Sequence, residues 1–405
     1  MVETDIKSLT RDELAARLLA WHQPAYRVDQ LLDWLYRNRV ADWDAMTNLP
    51  KALRNQLSRT YSLRTFELVC RQGSTDSTQK FLWRLADHAL IESVLIPASA
   101  ALYGEPSDRH TLCVSTQVGC AYRCRFCASG LEGWKRNLRP EEIVEQVFAV
   151  ERWHARENSK FQIPNPGSEI PNPESQIPNP AFQIANPDSS PRLVDNLVIM
   201  GMGEPLANYD ALIKALQILN APWGGRIGAR KITVSTSGLA PQIRRLANER
   251  LQLRLAVSLH GATDEVRNRI MPVNRKYPLA ELVSAIEYYV SQKGAMISLE
   301  YILIAGINDG LDQVKPLARW ARRLHAKVNL IPYNPVDGLP WQRPGEAVQQ
   351  GFFRALRNCR VPVTLRREKG IDIDAACGQL RLKAERLEDA HAGSMVLGGA
   401  NPHGG

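Results

Sequence analysis

Several features of secreted and membrane proteins are missing from this sequence. No apolar core of a signal peptide follows the first residues, and no apolar run reaches the roughly 20 residues of a membrane-spanning helix. The 7 cysteines are an odd number, unevenly spread over 405 residues, which does not fit a secreted disulfide framework. We therefore expect a cytoplasmic protein with no membrane partner.

A fourth cysteine is missing from the one stretch where cysteines cluster. Cys120, Cys124 and Cys127 have the spacing C-x3-C-x2-C, and their loop contains no histidine. Three thiolates on one loop can bind a [4Fe–4S] cluster and leave one iron open, as catalytic metal sites generally do. The spacing resembles the signature of the radical S-adenosylmethionine (SAM) superfamily. A zinc site, which usually takes four ligands, and structural cysteines without metal are the alternatives.

Positive charge is present in excess. The net charge of +9 and the isoelectric point near 9.2 favour polyanionic partners, RNA or DNA before lipid. The apolar fraction of 44% is typical of a globular chain and argues against a largely disordered one.

Strand and helix patterns alternate from residue 111 onward. This alternation predicts an α/β fold with a parallel sheet, and about six units predict a partial (βα)6 barrel rather than a full eight-unit one. Chemistry in such barrels lies at the carboxyl ends of the strands. The predicted strands are 111–116, 197–202, 232–235, 255–259, 297–304, 328–331 and 361–365.

The rest of the chain divides around this barrel. A capping box at Thr10 and Glu13 opens a helical region, and antiparallel strands follow it. Between the first barrel helix and the second strand, Ile-Pro-Asn-Pro recurs every seven residues, and two prolines per repeat exclude a helix. We predict an N-terminal helical domain, a β extension, a barrel with a disordered insert, and a disordered tail, at 1–62, 63–110, 111–382 (insert 158–191) and 383–405.

Polar residues follow the ends of several predicted strands. A glycine lets the backbone approach a ligand, a carboxylate accepts from an ammonium group, and hydroxyl, imidazole and amide groups can bond ribose, carboxylate or adenine. A tight turn, a structural histidine and a turn-forming Asn-Pro are the alternative interpretations. The candidates are Gly203, Glu204, Ser235, Ser258, His260 and Asn334.

Three further residues are candidates for chemistry. Cys113 lies in the first barrel strand, and Cys377 follows the last one among small residues that leave its sulfur accessible, as a reacting thiol requires. Glu92 lies in a predicted strand between apolar neighbours, so it faces either water or a pocket.

Together the motifs resemble those of the bacterial dual-specificity RNA (adenine-C2) methyltransferases, within the radical SAM superfamily. The stretches that carry the resemblance are TLCVSTQVGCAYRCRFC, GMGEPL, STSG, SLH, NLIPYNP and GIDIDAACGQL, and it extends from about residue 10 to 382 without the insert. It implies methylation at C2 of adenine 2503 in 23S rRNA and of adenine 37 in tRNA, with two SAM molecules consumed.

The resemblance also implies roles for individual residues. Cys377 would carry the methyl group as S-methylcysteine, Cys113 would resolve the intermediate through a transient disulfide with Cys377, and Glu92 would accept a proton. An electron donor such as flavodoxin with its reductase, and a monomeric enzyme, are expected. Cluster ligands would be Cys120, Cys124 and Cys127, and SAM contacts would be Gly203, Glu204, Ser235, Ser258, Leu259, His260 and Asn334.

Two other functions compete with this one. The adenine-C8 methyltransferases that confer antibiotic resistance share the cluster and both reactive cysteines, although the N-terminal helical domain favours C2. A non-catalytic iron–sulfur or zinc RNA-binding protein would account for the charge and for three cysteines. It would leave Cys377 and the GMGEP turn unexplained.

Overall fold

A ten-stranded sheet runs through the part of the chain that this computed structural model describes, residues 4–74, 77–98, 109–160, 192–366 and 378–386. Its strand order is β1-β2-β3-β4-β7-β8-β9-β10-β11-β12, and β5 and β6 form a separate hairpin. The strands are β1 (Glu67–Gly73), β2 (Gln79–Arg84), β3 (Leu90–Pro97), β4 (His110–Cys113), β5 (Gln117–Gly119), β6 (Trp134–Asn137), β7 (Val194–Ile199), β8 (Ile232–Thr236), β9 (Arg254–Ser258), β10 (Ser298–Leu303), β11 (Lys327–Pro332) and β12 (Val363–Leu365).

Strands β4 and β7 to β12 are all parallel, whereas β1, β2 and β3 join the β4 edge in antiparallel fashion. Helices cover the outer face of the parallel strands, and buried Val, Ile and Leu residues alternate with half-buried residues along β8 and β11. The predicted fold class, an α/β barrel with a β extension and a helical N-terminal domain, is confirmed.

The helices follow the alternation that the sequence predicts. Helix α2 continues into a π-helical turn at Asp33–Arg37. Within the described residues the helices are α1 (Arg11–Ala20), α2 (Tyr26–Leu32), α3 (Lys51–Thr60), α4 (Pro140–Lys160), α5 (Tyr209–Asn220), α6 (Ala240–Ala247), α7 (Asp264–Ile270), α8 (Leu279–Lys293), α9 (Val314–Arg323), α10 (Glu346–Asn358) and α11 (379–386).

The N-terminal helices pack on the barrel through a buried ion pair. The predicted capping box is present, with Thr10 and Glu13 each bonding the other's backbone amide at the start of α1. Lys7 Nζ lies 2.5 Å from Glu145 Oε2 on α4, and both side chains are at most 3% exposed. The N-terminal domain is thus attached to the first barrel helix by charge as well as by apolar packing.

Several predicted boundaries need correction. The second barrel strand is 194–199 rather than 197–202, because residues 200–203 leave the sheet in a glycine-rich turn. Residues 383–386, predicted as part of a disordered tail, are helical and are held by an ion pair of Arg381 with Glu385 at 2.6 Å. Residues 158–160 of the predicted insert end α4, and 161–191 lie outside the described residues.

No helix in the described part of the chain combines the length and apolarity that crossing a membrane requires.

Candidate active site

A cavity of about 380 Å³ opens at the carboxyl ends of the parallel strands, which is the size range of small-ligand sites. The ends of β7, β8, β9, β10 and β11 contribute to its wall, as expected for a barrel of this kind. Of the predicted site residues, those that line it are Cys113, Cys120, Cys124, Cys127, Gly203, Glu204, Ser235, Ser258, His260 and Asn334. Leu259 is buried beside it, and Cys377 lies outside the described residues.

The three-cysteine loop is pinned by backbone hydrogen bonds to two neighbouring segments. Cys120 donates its amide to Gly133 O at 2.9 Å in the β5–β6 hairpin, and Arg125 donates its amide to Ile270 O at 2.9 Å at the end of α7. Cys127 N donates back to Cys124 O at 3.1 Å. These contacts fix the loop at the cavity wall, with all three sulfur-bearing residues along it.

Burial controls the chemistry of these thiols. It raises the pKa of Cys120 to about 12 and the pKa of Cys124 well above its ordinary value, and the neighbouring thiols add to both shifts. Thiolates in this setting require a cation, and a metal that binds them deprotonates them outright. Among the described residues no group of three or more His, Cys, Asp or Glu could hold a single metal ion. A four-iron cluster does not require three ligands that converge on a single ion, because each cysteine binds a different iron.

A fully buried arginine, which no sequence pattern predicts, lies behind the loop. Arg267 on α7 is 0% exposed and donates Nη1 to Ser258 O at 2.8 Å and Nη2 to Ser237 O at 2.5 Å. It therefore connects the ends of β8 and β9. Burial lowers its pKa to about 10, and the Cys124 thiolate opposes that shift. Arg267 places a positive charge near the cysteine loop.

Glu204 is oriented by backbone amides on both carboxylate oxygens. Leu206 N donates to Oε1 at 3.1 Å and Ser237 N to Oε2 at 2.6 Å, and the side chain is 3% exposed. Burial raises its pKa, and the hydrogen bonds from the neighbouring strand end oppose that shift. A buried carboxylate at a cavity wall is suited to an ammonium ligand.

The turn before Glu204 requires glycine. Gly203 has φ +100°, and a Cβ there would lie 2.6 Å from the Cβ of Gln117. Gln117 Oε1 in turn accepts the amide of Glu204 at 2.8 Å. The GMGEP motif is therefore a close approach between two backbone segments, and this approach aims Glu204.

His260 is a neutral imidazole in the cavity wall. Its Nδ1 accepts the amide of Ile302 at 3.0 Å, so the ring proton lies on Nε2. Burial lowers its pKa to about 3, and the charge of Arg267 lowers it further. The ring of Phe126, from the cysteine loop, contacts His260 edge-on at 5.0 Å between centroids.

The residues present fit the cluster and SAM. The Tyr333 hydroxyl is buried, and Tyr333 lines the cavity, which places a polar group where a polar ligand can bind. Three thiols, an oriented carboxylate and hydroxyl groups surround the same space. Cys120, Cys124 and Cys127 would hold the cluster, and Glu204 would meet the amino group of SAM.

Cys113 and Glu92 lie on one face of the β extension but differ in access. Cys113 on β4 pairs with Val94 on β3, which pairs with Lys80 on β2, and all three line the cavity. Glu92 is 3% exposed, is not among the lining residues, and lies 3.0 Å from Lys80 Nζ. The question of whether Glu92 faces water or a pocket is thus resolved: it is covered.

Lys80 is a second residue that sequence reasoning missed, although a signal for it exists. In a hairpin of β2 and β3, Leu82 lies opposite Glu92, so Lys80 and Glu92 share one face. Opposite charges on the same face of a predicted hairpin, flanked by apolar residues, indicate a buried pair. Arg267 offers no comparable signal, since its helix is rich in exposed charges.

Comparisons with known proteins agree with this geometry. Residues 4–63 match the ribosomal RNA large subunit methyltransferase N-terminal domain, and residues 192–321 match the radical SAM superfamily. A probable dual-specificity RNA methyltransferase RlmN 3 from Opitutus terrae is 52% identical over 93% of this chain and 94% of its own length. A probable dual-specificity RNA methyltransferase RlmN from Akkermansia muciniphila is 48% identical over 94% and 96%.

A solved structure supports the same assignment. A radical SAM methyltransferase from Sphaerobacter thermophilus is 41% identical, with a TM-score of 0.79, over 93% of this chain and 98% of that one. Sequence and fold therefore agree over nearly the whole length, and the chain belongs to the RlmN family of radical SAM RNA methyltransferases, which use a [4Fe–4S] cluster and SAM.

Proposed function

We propose that this chain methylates C2 of adenine 2503 in 23S rRNA and of adenine 37 in tRNA, through S-methylation of Cys377. The observation that carries the proposal is the shared cavity. The cysteine loop, Glu204 and Cys113 line it, and Gly378, the residue after Cys377, packs against Ser129 of the cysteine loop. Reactive groups from distant parts of the sequence thus meet at one place.

Each of the candidate site residues has a separate proposed role in the reaction. SAM and the reduced cluster supply the methyl group and the radical that activates it. Glu204, Ser235, Ser258, His260 and Asn334 bind and orient the cofactor, with Gly203 and Leu259 shaping the backbone around it. Cys377 carries the methyl carbon to adenine C2, and Glu92 accepts the C2 proton. Cys113 then attacks the sulfur of Cys377 and forms a disulfide as the carbon–sulfur bond breaks. The released carbon takes up a proton to become the methyl group, and the remaining electron would return to the cluster.

RNA would present the adenine as an unstacked base at the mouth of the barrel. Trp134, on the hairpin that pins Cys120, is 50% exposed, and Leu131 next to it is 42% exposed. An exposed indole at this point offers a surface on which a base can stack. The N-terminal helical domain is the proposed second RNA contact.

The enzyme would act as a cytoplasmic monomer, reduced by a donor such as flavodoxin.

Locating the new methyl group tests the proposal. Anaerobically reconstituted enzyme should add one methyl group to 23S rRNA and tRNA from a host that lacks this modification, and mass spectrometry of the adenosine should place it at C2. Cys377→Ser should yield no product. Cys359→Ser, a half-buried cysteine at the end of α10, is the matched control and should retain activity. A methyl group only at C8, or tightly bound zinc in place of iron, would refute the proposal.

A further inference from the structure

The buried pair of Lys80 and Glu92 holds the segment that follows Cys377. Gly378 N donates to Glu92 Oε2 at 2.7 Å, and Arg381 N donates to Glu92 Oε1 at 2.7 Å. Lys80 Nζ lies 3.0 Å from the same Oε2 atom. One carboxylate therefore ties two strands of the β extension to the first turn of α11, nearly 300 residues later in the chain.

The rest of the segment's packing supports this anchor. Leu380 on α11 is buried against Leu82 and Leu90 of β2 and β3, on the face that carries Glu92. Gly378 has φ +90°, and a Cβ there would lie 2.9 Å from the backbone nitrogen of Ser129. The backbone at 378 is thus confined between the cysteine loop on one side and Glu92 on the other.

We propose that Glu92 anchors the Cys377 segment before RNA binds, and that Lys80 is the positioning residue that keeps this carboxylate in place. The inference rests on the proposed function, in which Cys377 must first present its sulfur to SAM. It assigns Glu92 a task separate from proton acceptance. Amides that donate to a charged acceptor form strong, directional bonds, and Lys80 supplies the charge balance that a buried carboxylate needs.

The geometry also orders the two tasks of Glu92. A carboxylate has about four lone-pair sites, and Gly378, Arg381 and Lys80 use three of them here. Glu92 is covered and does not line the cavity, so an adenine cannot reach it while both amides are bound. Anchoring comes first, and proton acceptance requires that the covering 378–386 segment move far enough to expose the fourth lone-pair site of Glu92.

Two measurements on the reconstituted holoenzyme test the anchor. Hydrogen exchange reports directly on the amides of the 378–386 segment, whatever reaction the enzyme performs. S-methylation of Cys377 by isotopically labelled SAM, followed by mass spectrometry without RNA, reports on placement of the thiol and requires no proton acceptor.

The variants are Glu92→Gln and Lys80→Met, which keep the side-chain volume and remove one charge. Each should accelerate exchange in the 378–386 segment at least about tenfold, because a charge-assisted bond is lost. Each should also slow S-methylation at least about fivefold, with the KM for SAM unchanged. Lys7→Met is the matched control, since it breaks an equally buried pair with Glu145, neither residue of which lines the cavity, and it should alter neither readout.

Unchanged exchange in both variants would overturn the anchor, and so would wild-type S-methylation rates despite faster exchange, because Glu92 would then act only as proton acceptor. An effect of Lys7→Met equal to that of Lys80→Met would also overturn it. Absence of S-methylcysteine in the wild-type enzyme would refute the proposed function itself. Hydrogen exchange does not depend on S-methylation, so it would still test the anchor.

Discussion

Two buried glutamates near the cavity are held in the same way but differ in what balances their charge. Glu204 and Glu92 are each 3% exposed, and each accepts backbone amides on both carboxylate oxygens. Glu92 has Lys80 at 3.0 Å, whereas no lysine or arginine forms an ion pair with Glu204 in the described part of the chain.

The difference separates a binding site from an anchor. The amide donors to Glu204 come from a turn and a strand end within the barrel, so the carboxylate is rigid while its charge lacks a counter-ion. Burial raises the pKa of Glu204, and a cationic ligand beside the carboxylate would lower it again. Glu92 already has its cation, and its amide donors lie on a segment near the end of the sequence. A cation is missing where a ligand must bind and is supplied where the protein must hold itself together.

The largest effect should come from removing the cation of the anchor. Lys80→Met leaves the Glu92 carboxylate buried and uncompensated, and breaking a buried pair from one side costs about 3–5 kcal/mol. Chemical denaturation should show a loss of this size in the free energy of unfolding. Lys7→Met should show a smaller loss, because Glu145 keeps a second cation, Arg152, on its other carboxylate oxygen. A loss below about 1 kcal/mol for Lys80→Met would mean that water reaches Glu92 and that the pair is not closed.

Removing the charge of Glu204 should instead affect ligand binding. Under the proposed function, Glu204→Gln deletes the acceptor for the SAM ammonium group. Losing one partner of a buried charged contact costs about 2 kcal/mol or more, which is about 30-fold in affinity. Equilibrium dialysis with labelled SAM on cluster-loaded protein measures this directly. The ligand-free protein should lose less stability than Lys80→Met does, because no buried charge is left unpaired, although the Gln side chain can accept only one of the two backbone N–H groups. A loss of stability comparable to that of Lys80→Met would remove the distinction between the two glutamates.

The pH dependence of stability should differ between the wild type and Glu204→Gln. Below the unfolded pKa, near 4.5, Glu204 is protonated in both states and costs nothing. As the pH rises from there to the raised folded pKa, the unfolded state loses its proton first, so the wild type loses stability relative to the variant by about 1.4 kcal/mol per pH unit. Above the folded pKa the difference is constant. Urea denaturation at a series of pH values measures it, and a difference independent of pH would contradict the burial of this carboxylate.

The sequence predicted the barrel and most of the cavity, because both follow from local patterns. Alternating apolar segments place the strands, and polar residues at strand ends must meet where parallel strands end. This reasoning predicts Gly203 and Glu204, and both line the cavity. The apolar run predicts a strand at 197–202, three residues late, because Met200 and Met202 extend it. Only the close approach at Gly203 shows where the sheet ends.

What the sequence left open depends on contacts between distant segments. The anchor joins residues 286 and 289 positions apart, and no periodicity reports such a pairing. Arg267 likewise takes its role from the carbonyl groups of two other strands. Charged residues that are buried by long-range packing look the same in sequence as solvated ones.

The smallest effect should come from the surface contact of the same segment. Lys135 Nζ lies 3.1 Å from Glu385 on α11, with a side chain that is 50% exposed, and such pairs contribute about 1 kcal/mol or less. Lys135→Ala should therefore change stability no more than Arg323→Ala, which breaks an exposed pair between α8 and α9, and should leave S-methylation at the wild-type rate. If Lys135→Ala slowed S-methylation as much as Lys80→Met, the segment would be held from its surface side. Packing of Leu380 would then be the interaction that places the two backbone amides beside the carboxylate of Glu92. The role of Glu92 would be limited to proton transfer.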